Sequence, residues 1–199
     1  MGFWTRRTNP TQARAEKLLA LIARSVDDEE YQNRVLQPHV LPMLEQGLAC
    51  DQVPDGHGAF GSFTNPVPVN GPFGELAYLS KLRDAKGQRL FFQRTSSNNG
   101  LDQFDLFAAD MNNTYELWLD MYHPRRSRLA PSGLTLVNGP SHFSGFTDHT
   151  TEWPLDTAHR IEALPDHMNL LYVSPKTYEP FVATCKAHEE DASAVRVRR

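Results

Sequence analysis

The sequence predicts an α+β protein in which an N-terminal helical segment packs on one face of a mainly antiparallel, meander-type β-sheet. Apolar residues recur at helical spacing within residues 1–50, and a stretch rich in glycine and proline follows at 51–74. Paired segments with strand-like alternation then fill residues 75–150. Helices followed by strands, rather than alternating with them, are typical of the α+β class. A length of 199 residues fits a single domain over 1–199.

The helical segment is predicted from spacing and from its start and stop signals. One apolar stripe runs through Ala15, Leu18, Leu19, Ile22 and Val26. Asp27 followed by Glu30 resembles a capping pair that opens a second helix. Pro38 and Pro42 prevent a regular continuation, so the Val40–Leu48 segment is expected to be kinked or to restart, with Gly47 as its stop. The three glycines at 56, 58 and 61 in the next stretch lack the GxxxxGK[ST] pattern of a phosphate loop, so 51–74 is expected to be an ordered loop.

Two β-hairpins are predicted after residue 74. The segments 75–83 and 88–96 flank the turn-like residues Asp84-Ala85-Lys86-Gly87. The segments 103–110 and 115–122 flank an asparagine pair at 112 and 113, and asparagine tolerates the positive φ of a tight turn.

A two-residue turn at that asparagine pair sets the register of the second hairpin. It pairs Ala108 with Leu117, Leu106 with Leu119 and Phe104 with Met121, all apolar and all on one face. The other face then has Asp105 opposite Asp120, Phe107 opposite Trp118 and Ala109 opposite Glu116. Two carboxylates directly across an antiparallel pair are unfavourable, so we expect cations nearby.

Cationic and aromatic side chains crowd the end of this hairpin. Three arginines follow Asp120 within eight residues, and arginine suits forked contacts with carboxylates. We expect Asp105 and Asp120 to hold one or two of them, leaving a remaining arginine and His123 for an anionic ligand or a partner. Exposed aromatic residues beside arginines are typical of protein interfaces. The predicted binding site therefore comprises Trp118, Tyr122, His123, Arg125, Arg126, Arg128, Asp105 and Asp120. The alternative is a solvated strand end with surface ion pairs worth under about 1 kcal/mol each.

The C-terminal third has weaker patterns. Residues 151–188 read as mixed structure, and strands are expected within 134–137, 142–146 and 169–173. A short helix is expected at 177–187, and 189–199 read as a charged, loose tail.

Composition and motifs exclude several classes of function. The formal net charge of −4 argues against nucleic acid and anionic membranes as partners. The apolar run at 18–23 is too short for an export signal or a membrane span, which predicts a cytoplasmic protein. Cys50 and Cys185 form no CxxC and are expected to be reduced, with one disulfide left open. The eight histidines form no zinc-binding motif, so no metal and no cofactor are predicted.

These observations favour a non-catalytic module that binds another protein through the aromatic and arginine surface. One alternative is a pocket for a small phosphate or carboxylate compound, held by Arg125, Arg126 and His123. The other is a hydrolase that uses Asp105 with Asp120, or the loop from His142 to His149 with a metal.

Overall fold

The computed structural model of the protein describes residues 17, 24, 26–36, 38–108, 110, 112–164 and 171–172. The helices within these ranges are α1 (Glu29–Val35), α2 (Leu41–Gln46), α3 (Gly71–Lys81) and α4 (Thr157–Glu162). The strands are β1 (Val67–Pro68), β2 (Leu82–Arg83), β3 (Leu90–Asn98), β4 (Leu101–Ala108), β5 (Thr114–Asp120), β6 (Thr135–Leu136) and β7 (Gly145–Phe146). None of the helices in the described ranges has the length and apolar character that crossing a membrane requires.

The main sheet has five strands in the order β1-β5-β4-β3-β7. Its centre, β3-β4-β5, is antiparallel, whereas β1 runs parallel to β5 and β7 runs parallel to β3. The α+β composition is therefore confirmed, but the prediction of an antiparallel meander holds only for the centre. The parallel strands are two residues long, which is too short for an alternating pattern to show in the sequence. That the whole chain forms one domain stays a prediction.

The segment 75–83 is mostly helical, and its prediction as a strand is wrong. Helix α3 has proline in its first turn, a position that suits proline because its missing N–H is not needed there. Every residue from Glu75 to Ser80 is buried, including the polar Glu75 and Ser80, so polar residues do not mark an exposed face of the helix. A short segment that is buried on all sides shows no periodic pattern that distinguishes a helix from a strand. The predicted turn does form, because the Asp84 carboxylate accepts hydrogen bonds from the N–H groups of Lys86 and Gln88.

The core lies between α3 and the inner face of the sheet. It is formed chiefly by Ala77, Tyr78, Leu79, Leu82, Leu90, Phe92, Phe104, Leu106, Leu117 and Leu119, all buried. Burial of each large apolar side chain contributes about 1.5–3 kcal/mol. The helix on the sheet is thus α3, whereas α1 contacts α3, which corrects the expectation that the N-terminal segment covers the sheet. From the N-terminal segment, Val26 reaches the core.

The N-terminal segment has the predicted caps with one shift. Helix α1 begins after Asp28, whose carboxylate accepts a hydrogen bond from the Tyr31 N–H at 2.9 Å, so the cap lies one residue beyond the predicted Asp27. Helix α2 ends at Gly47 as predicted. The strands expected within 134–137 and 142–146 are present as β6 and β7. Most of the predicted first helix, the helix at 177–187 and the tail at 189–199 lie outside the described residues, as does all of 169–173 except 171–172.

The glycine- and proline-rich stretch is irregular up to residue 66, and β1 and the start of α3 occupy the rest. The irregular part of this stretch lies along the edge of β5 that does not pair with β4. There the Trp118 backbone N–H donates to the Gly61 carbonyl at 2.7 Å. Gly61 has a φ of +92°, and a Cβ there would meet the Leu117 side chain at 2.8 Å. Glycine is therefore required at this position by the backbone and by close packing.

Candidate functional site

The pairing of β4 with β5 decides which side chains meet on the outer face of the sheet. Asp105 lies opposite Glu116, Gln103 opposite Trp118, and Leu101 opposite Asp120. The predicted register, which paired Asp105 with Asp120, is therefore wrong by four residues. Because four is an even number, every side chain keeps its predicted face. The inner set of Phe104, Leu106, Leu117 and Leu119 is buried, as predicted.

The register error comes from the connection between the two strands. Strand β4 ends at Ala108 and β5 begins at Thr114, and a hydrogen bond of 3.0 Å joins the Ala108 N–H to the Asn113 carbonyl. Asp110 organises this loop, because its carboxylate accepts from the Asn112 N–H at 3.1 Å and pairs with Lys86 at 3.0 Å. Lys86 lies in the turn between β2 and β3. The turn residues near Asp110 therefore do not reveal this contact in the sequence.

Two segments cover the sides of the outer face. On the β3 side, Gln93 donates to the Thr150 carbonyl at 2.9 Å, and the Phe107 ring meets Trp153 edge to face at 4.9 Å. On the β5 side, the loop places the Phe63 ring at 4.9 Å from Trp118, also edge to face. Phe63 is partly exposed. An open strip between the two covers contains Asp105 and Glu116.

This strip is acidic and has a hollow of about 330 Å3, lined by Asp105, Leu106, Phe107, Thr114, Tyr115 and Glu116. Burial and the neighbouring Glu116 raise the pKa of Asp105, although His149 acts in the opposite direction. The Trp118 indole N–H donates to a Glu116 oxygen at 3.0 Å. Among the ion pairs of the described residues, none joins a Lys or Arg to Asp105 or Glu116. The predicted pair of Asp105 with Asp120 is therefore absent, and the register places Glu116 opposite Asp105 instead.

The arginines after β5 bind carboxylates from the N-terminal part of the chain. Arg125 and Arg128 both pair with Asp51, at 2.6 and 2.8 Å. These hydrogen bonds, first from Arg128 and then from Arg125, hold the pKa of the Asp51 carboxyl well below its usual range. The prediction that Asp105 and Asp120 hold the arginines is therefore wrong.

Arg126 is the most enclosed of the three arginines. Its side chain is 10% exposed and pairs with Glu29 at 2.9 Å, and it also donates to the carbonyl oxygens of Val26 and Asp27. A hollow of about 300 Å3 lies beside it, with Lys81 and Arg128 in its wall. Lys81 pairs with Asp27 at 2.9 Å. Each of the three cations at this hollow already contacts a carboxylate, so the hollow has little excess positive charge.

His123 lies at the centre of a second cluster, which joins β5 to the segment after α2. Its Nε2 is 3.2 Å from an Asp120 oxygen, and its Nδ1 is 2.7 Å from the Leu48 carbonyl oxygen and 3.7 Å from the Cys50 Sγ. Burial opposes the charged imidazole, but the hydrogen bonds to Asp120 and to the Leu48 carbonyl outweigh it and raise the pKa of His123. Burial likewise opposes ionisation of Asp120, but the bonds from His123 and from the Tyr122 N–H lower the pKa of Asp120.

The cysteine in this cluster was missed by sequence reasoning. Cys50 is 73 residues from His123 in the chain, and no local motif connects them. Cys50 is a free thiol and is partly exposed, and burial raises its pKa. The remaining predicted site residue, Tyr122, is half-buried with its ring against Gly100, and its N–H donates to Asp120.

The structure does not bring together the residues of either hydrolytic site that the sequence offered as an alternative. Asp105 and Asp120 lie opposite other residues, and Asp148 pairs with Arg160 at 2.8 Å. In the part of the chain that the structure describes, no group of three or more His, Cys, Asp and Glu side chains could hold a metal ion.

A buried carboxyl group lies on α3, which packs on the inner face of the sheet. Glu75 is fully buried, and neither of its oxygens receives a hydrogen bond from an N–H or hydroxyl group of the described residues. Burial and the adjacent Asp102 raise the pKa of Glu75 well above its ordinary value. Asp102 is bound at 3.1 Å by Arg94.

In comparisons with known proteins, no family model, no curated protein and no solved structure matches the chain. The function is therefore inferred from the residues themselves.

Proposed function

We propose that the protein binds another protein through the outer face of β4 and β5, and that the bound segment of the partner is basic. The observation that carries this proposal is the cross-strand pair of Asp105 and Glu116, for which the described part of the chain supplies no Lys or Arg partner. Like charges directly opposite one another on a sheet are unfavourable. A lysine or arginine from a partner would relieve that repulsion, and it would fit the hollow of about 330 Å3 between the two side chains.

Aromatic rings beside the carboxylates support the same choice of partner. Trp118 and Phe63 stand at one border of the strip, and Phe107 lines the hollow. Cations bind the faces of aromatic rings, most strongly that of tryptophan. Trp, Tyr and Phe are also enriched at the centres of protein interfaces. An acidic strip between aromatic borders therefore suits a basic segment better than an apolar or acidic one.

In this proposal, Arg125 and Arg126 have a structural role rather than the binding role that the sequence predicted. Arg125 and Arg126 are committed to Asp51 and Glu29 and have side chains 24% and 10% exposed. They support the binding face by fixing the end of β5. Arg128 is 76% exposed, and in this proposal an acidic group of the partner at the border of the interface would compete with Asp51 for it. Such border contacts affect the association rate more than the affinity.

Calorimetric titration with a short lysine-rich peptide tests the proposal. The variant to compare is the double substitution Asp105→Asn with Glu116→Gln, which keeps the size of both side chains. The matched control is Glu45→Gln with Glu162→Gln, which removes the same charge from two exposed positions on helices α2 and α4. We expect the first variant to bind at least about tenfold more weakly than the control, because close interfacial charge pairs contribute about 1.5 kcal/mol or more.

Further measurements separate a specific site from general attraction. Trp118→Ala is expected to weaken binding without changing the net charge, and added salt is expected to weaken it as well. An equal loss of peptide affinity in the test and control variants would indicate that the peptide is attracted only by the overall negative charge of the protein. Binding that survives both Trp118→Ala and the double substitution would dismiss this surface.

A second candidate function rests on the hollow beside Arg126. Its size suits a small phosphate or carboxylate compound, and Lys81, Arg126 and Arg128 contribute to its wall. An anion there would have to compete with Asp27, Glu29 and Asp51. A rise in the melting temperature with inorganic phosphate, absent in Lys81→Met, would support this function. No rise in either protein would count against it.

A further inference from the structure

The arrangement around His123 has the form of a nucleophile, a base and an orienting carboxylate. Its Nδ1 is 3.7 Å from the Cys50 Sγ, which is within hydrogen-bonding distance for sulfur, and its Nε2 is 3.2 Å from Asp120. A base held between a thiol and a third group that orients the ring is the geometry that nucleophilic catalysis requires. Cys50 is partly exposed, so an external group can approach the thiol.

The Leu48 carbonyl oxygen competes with the thiol for Nδ1, from which it lies 2.7 Å. A charged imidazole donates both of its N–H groups, one to the Leu48 carbonyl and one to Asp120. When the ring loses one proton, Nε2 keeps its hydrogen because ionised Asp120 can only accept. Nδ1 then becomes an acceptor, and the group beside it that can donate is the Cys50 thiol. The ring thus has a resting charged form and a neutral form that can take a proton from sulfur.

The surrounding charges determine the pH range in which the neutral form and the thiol coexist. Besides His123, the charged groups that face Cys50 are Arg125, Asp51 and Asp120, of which the arginine favours the thiolate and the aspartates oppose it. Asp120 is the charged group that faces the ring. The pKa of His123 is raised above 6.5 and that of Cys50 above 9.0. The neutral imidazole thus forms as the pH rises through the raised pKa of His123, and the thiol stays intact below the raised pKa of Cys50.

We propose that Cys50 is a nucleophile that accepts acyl groups from esters or thioesters, with His123 as its general base and Asp120 as a positioning residue. The Sγ attacks the carbonyl carbon and forms a carbon–sulfur bond, while the thiol proton moves to Nδ1. The bond from the carbonyl carbon to the leaving oxygen or sulfur then breaks, and Nδ1 returns the proton to that atom. Water then attacks the carbonyl carbon of acyl-Cys50 and passes a proton to Nδ1. The carbon–sulfur bond breaks, the acyl group leaves as a carboxylic acid, and Nδ1 returns the proton to the Sγ. The reaction requires no oxidant or reductant.

This activity is independent of the proposed binding function, although the two sites adjoin. Asp120 and Trp118 are two residues apart on β5, and alternation places both on the outer face. The relay therefore lies at one end of the face that we propose for a partner. Substitutions in the relay leave Asp105 and Glu116 unchanged, so the two proposals can fail separately.

The test uses the full chain with Cys185→Ser, so that Cys50 is the remaining thiol. p-Nitrophenyl acetate serves as the acyl donor, with release of nitrophenolate and the mass of acetylated Cys50 as readouts across a pH series. His123→Gln removes the base, Asp120→Asn removes the positioning charge, and Cys50→Ser removes the nucleophile. His142→Gln makes the same change as the first variant at an exposed histidine outside the relay. Circular dichroism establishes that each variant is folded.

We expect acetylation of Cys50 to follow an ionisation above pH 6.5. At about pH 8 it should be about a hundredfold slower in His123→Gln, as for the loss of a general base, and unchanged in His142→Gln. In Asp120→Asn the midpoint of the pH profile of acetylation should move to lower pH, because the Asp120 carboxylate raises the pKa of His123. A purely structural aspartate would not move it.

Two results overturn the proposal. One is a folded His123→Gln protein that reacts as fast as the unsubstituted one, and the other is a pH profile that coincides with that of N-acetylcysteine. If His123→Gln does not fold, the midpoint of the pH profile of Asp120→Asn tests the proposal instead. A shift to lower pH supports the relay, and an unchanged midpoint overturns it.

Discussion

The guanidinium group of Arg126 is buried against the Glu29 carboxylate at a distance of 2.9 Å, although 97 residues separate the two in the chain. The same side chain donates to the carbonyl oxygens of Val26 and Asp27, which lie at the C-terminal end of the preceding helical residues. One arginine therefore satisfies backbone acceptors and an acidic side chain at once. It joins the N-terminal segment to the end of β5.

Arg126→Ala is expected to lower the free energy of unfolding by about 2 kcal/mol, because it removes the guanidinium from the Glu29 carboxylate and from the Val26 and Asp27 carbonyl groups, while Glu29 keeps the Arg126 backbone N–H and the Val26 carbonyl keeps the Gln32 amide. Arg34→Ala is the control, since Arg34 is exposed and, among the described residues, forms its ion pair with Glu30 on its own helix. Its effect should stay within about 0.5 kcal/mol. Urea denaturation measures both. Equal small losses in the two variants would mean that Arg126 is solvated rather than structural.

The His123–Asp120 ion pair predicts a pH dependence of stability. The pKa of His123 is raised in the folded protein, so its contribution is fully present below 6.5 and is lost as the pH rises through the folded value. The pKa of Asp120 is lowered, so its contribution is present above 3.8 and is lost as the pH falls through the folded value. We expect the difference in free energy of unfolding between the unsubstituted protein and His123→Gln to shrink from about pH 6 to pH 9. A constant difference over that range would contradict a charged His123.

Glu75→Gln is expected to stabilise the protein at neutral and alkaline pH. The pKa of Glu75 is raised by burial and by Asp102, so its stabilising contribution is complete below 4.5 and is lost as the pH rises through the folded value. Glutamine stays neutral at every pH and avoids the cost of a buried charge. The gain over the unsubstituted protein, measured by urea denaturation, should therefore grow with pH. The exposed Glu45→Gln should show no such trend, and a loss of stability in Glu75→Gln at alkaline pH would show that the ionised carboxylate is needed.

Asp105→Lys tests the register of β4 and β5. It would place opposite charges across the strands and raise the free energy of unfolding by about 0.5 kcal/mol. In a Glu116→Gln background the gain should disappear, whereas in an Asp120→Asn background it should remain. A double-mutant cycle from thermal or urea unfolding measures this coupling. Coupling to Asp120 instead would indicate the four-residue shift that the sequence pattern predicts.

The sequence was sufficient to predict the two faces of the central hairpin, because alternation is a local property. Phe104, Leu106 and Leu119 are buried as that alternation requires. The register was not predictable, because Asp110 organises the connecting loop through Lys86, which is distant along the chain. Helix α3 was missed for a different reason: its side chains are buried nearly all round, so it has no polar face to reveal its period.

The candidate site was predicted as a set of residue types rather than as a set of contacts. The predicted pair of Asp105 with Asp120 depended on the register and is wrong, and the actual register places Glu116 opposite Asp105. The partners of Arg125 and Arg126 were unpredictable because Asp51 and Glu29 lie more than 70 residues away in the chain. Cys50 was missed for the same reason, since its distance from His123 becomes short only in the fold.

The short strand β1 has a consequence for how other chains can approach the sheet. Pro68 has no N–H to offer, and its carbonyl oxygen already accepts from the Ser127 N–H at 2.8 Å. A strand from another chain therefore cannot extend the backbone hydrogen bonding of the sheet at that edge. This also protects the sheet from edge-to-edge aggregation. Recognition on this side of the molecule must be made by side chains, so it can change through single substitutions without disturbing the backbone.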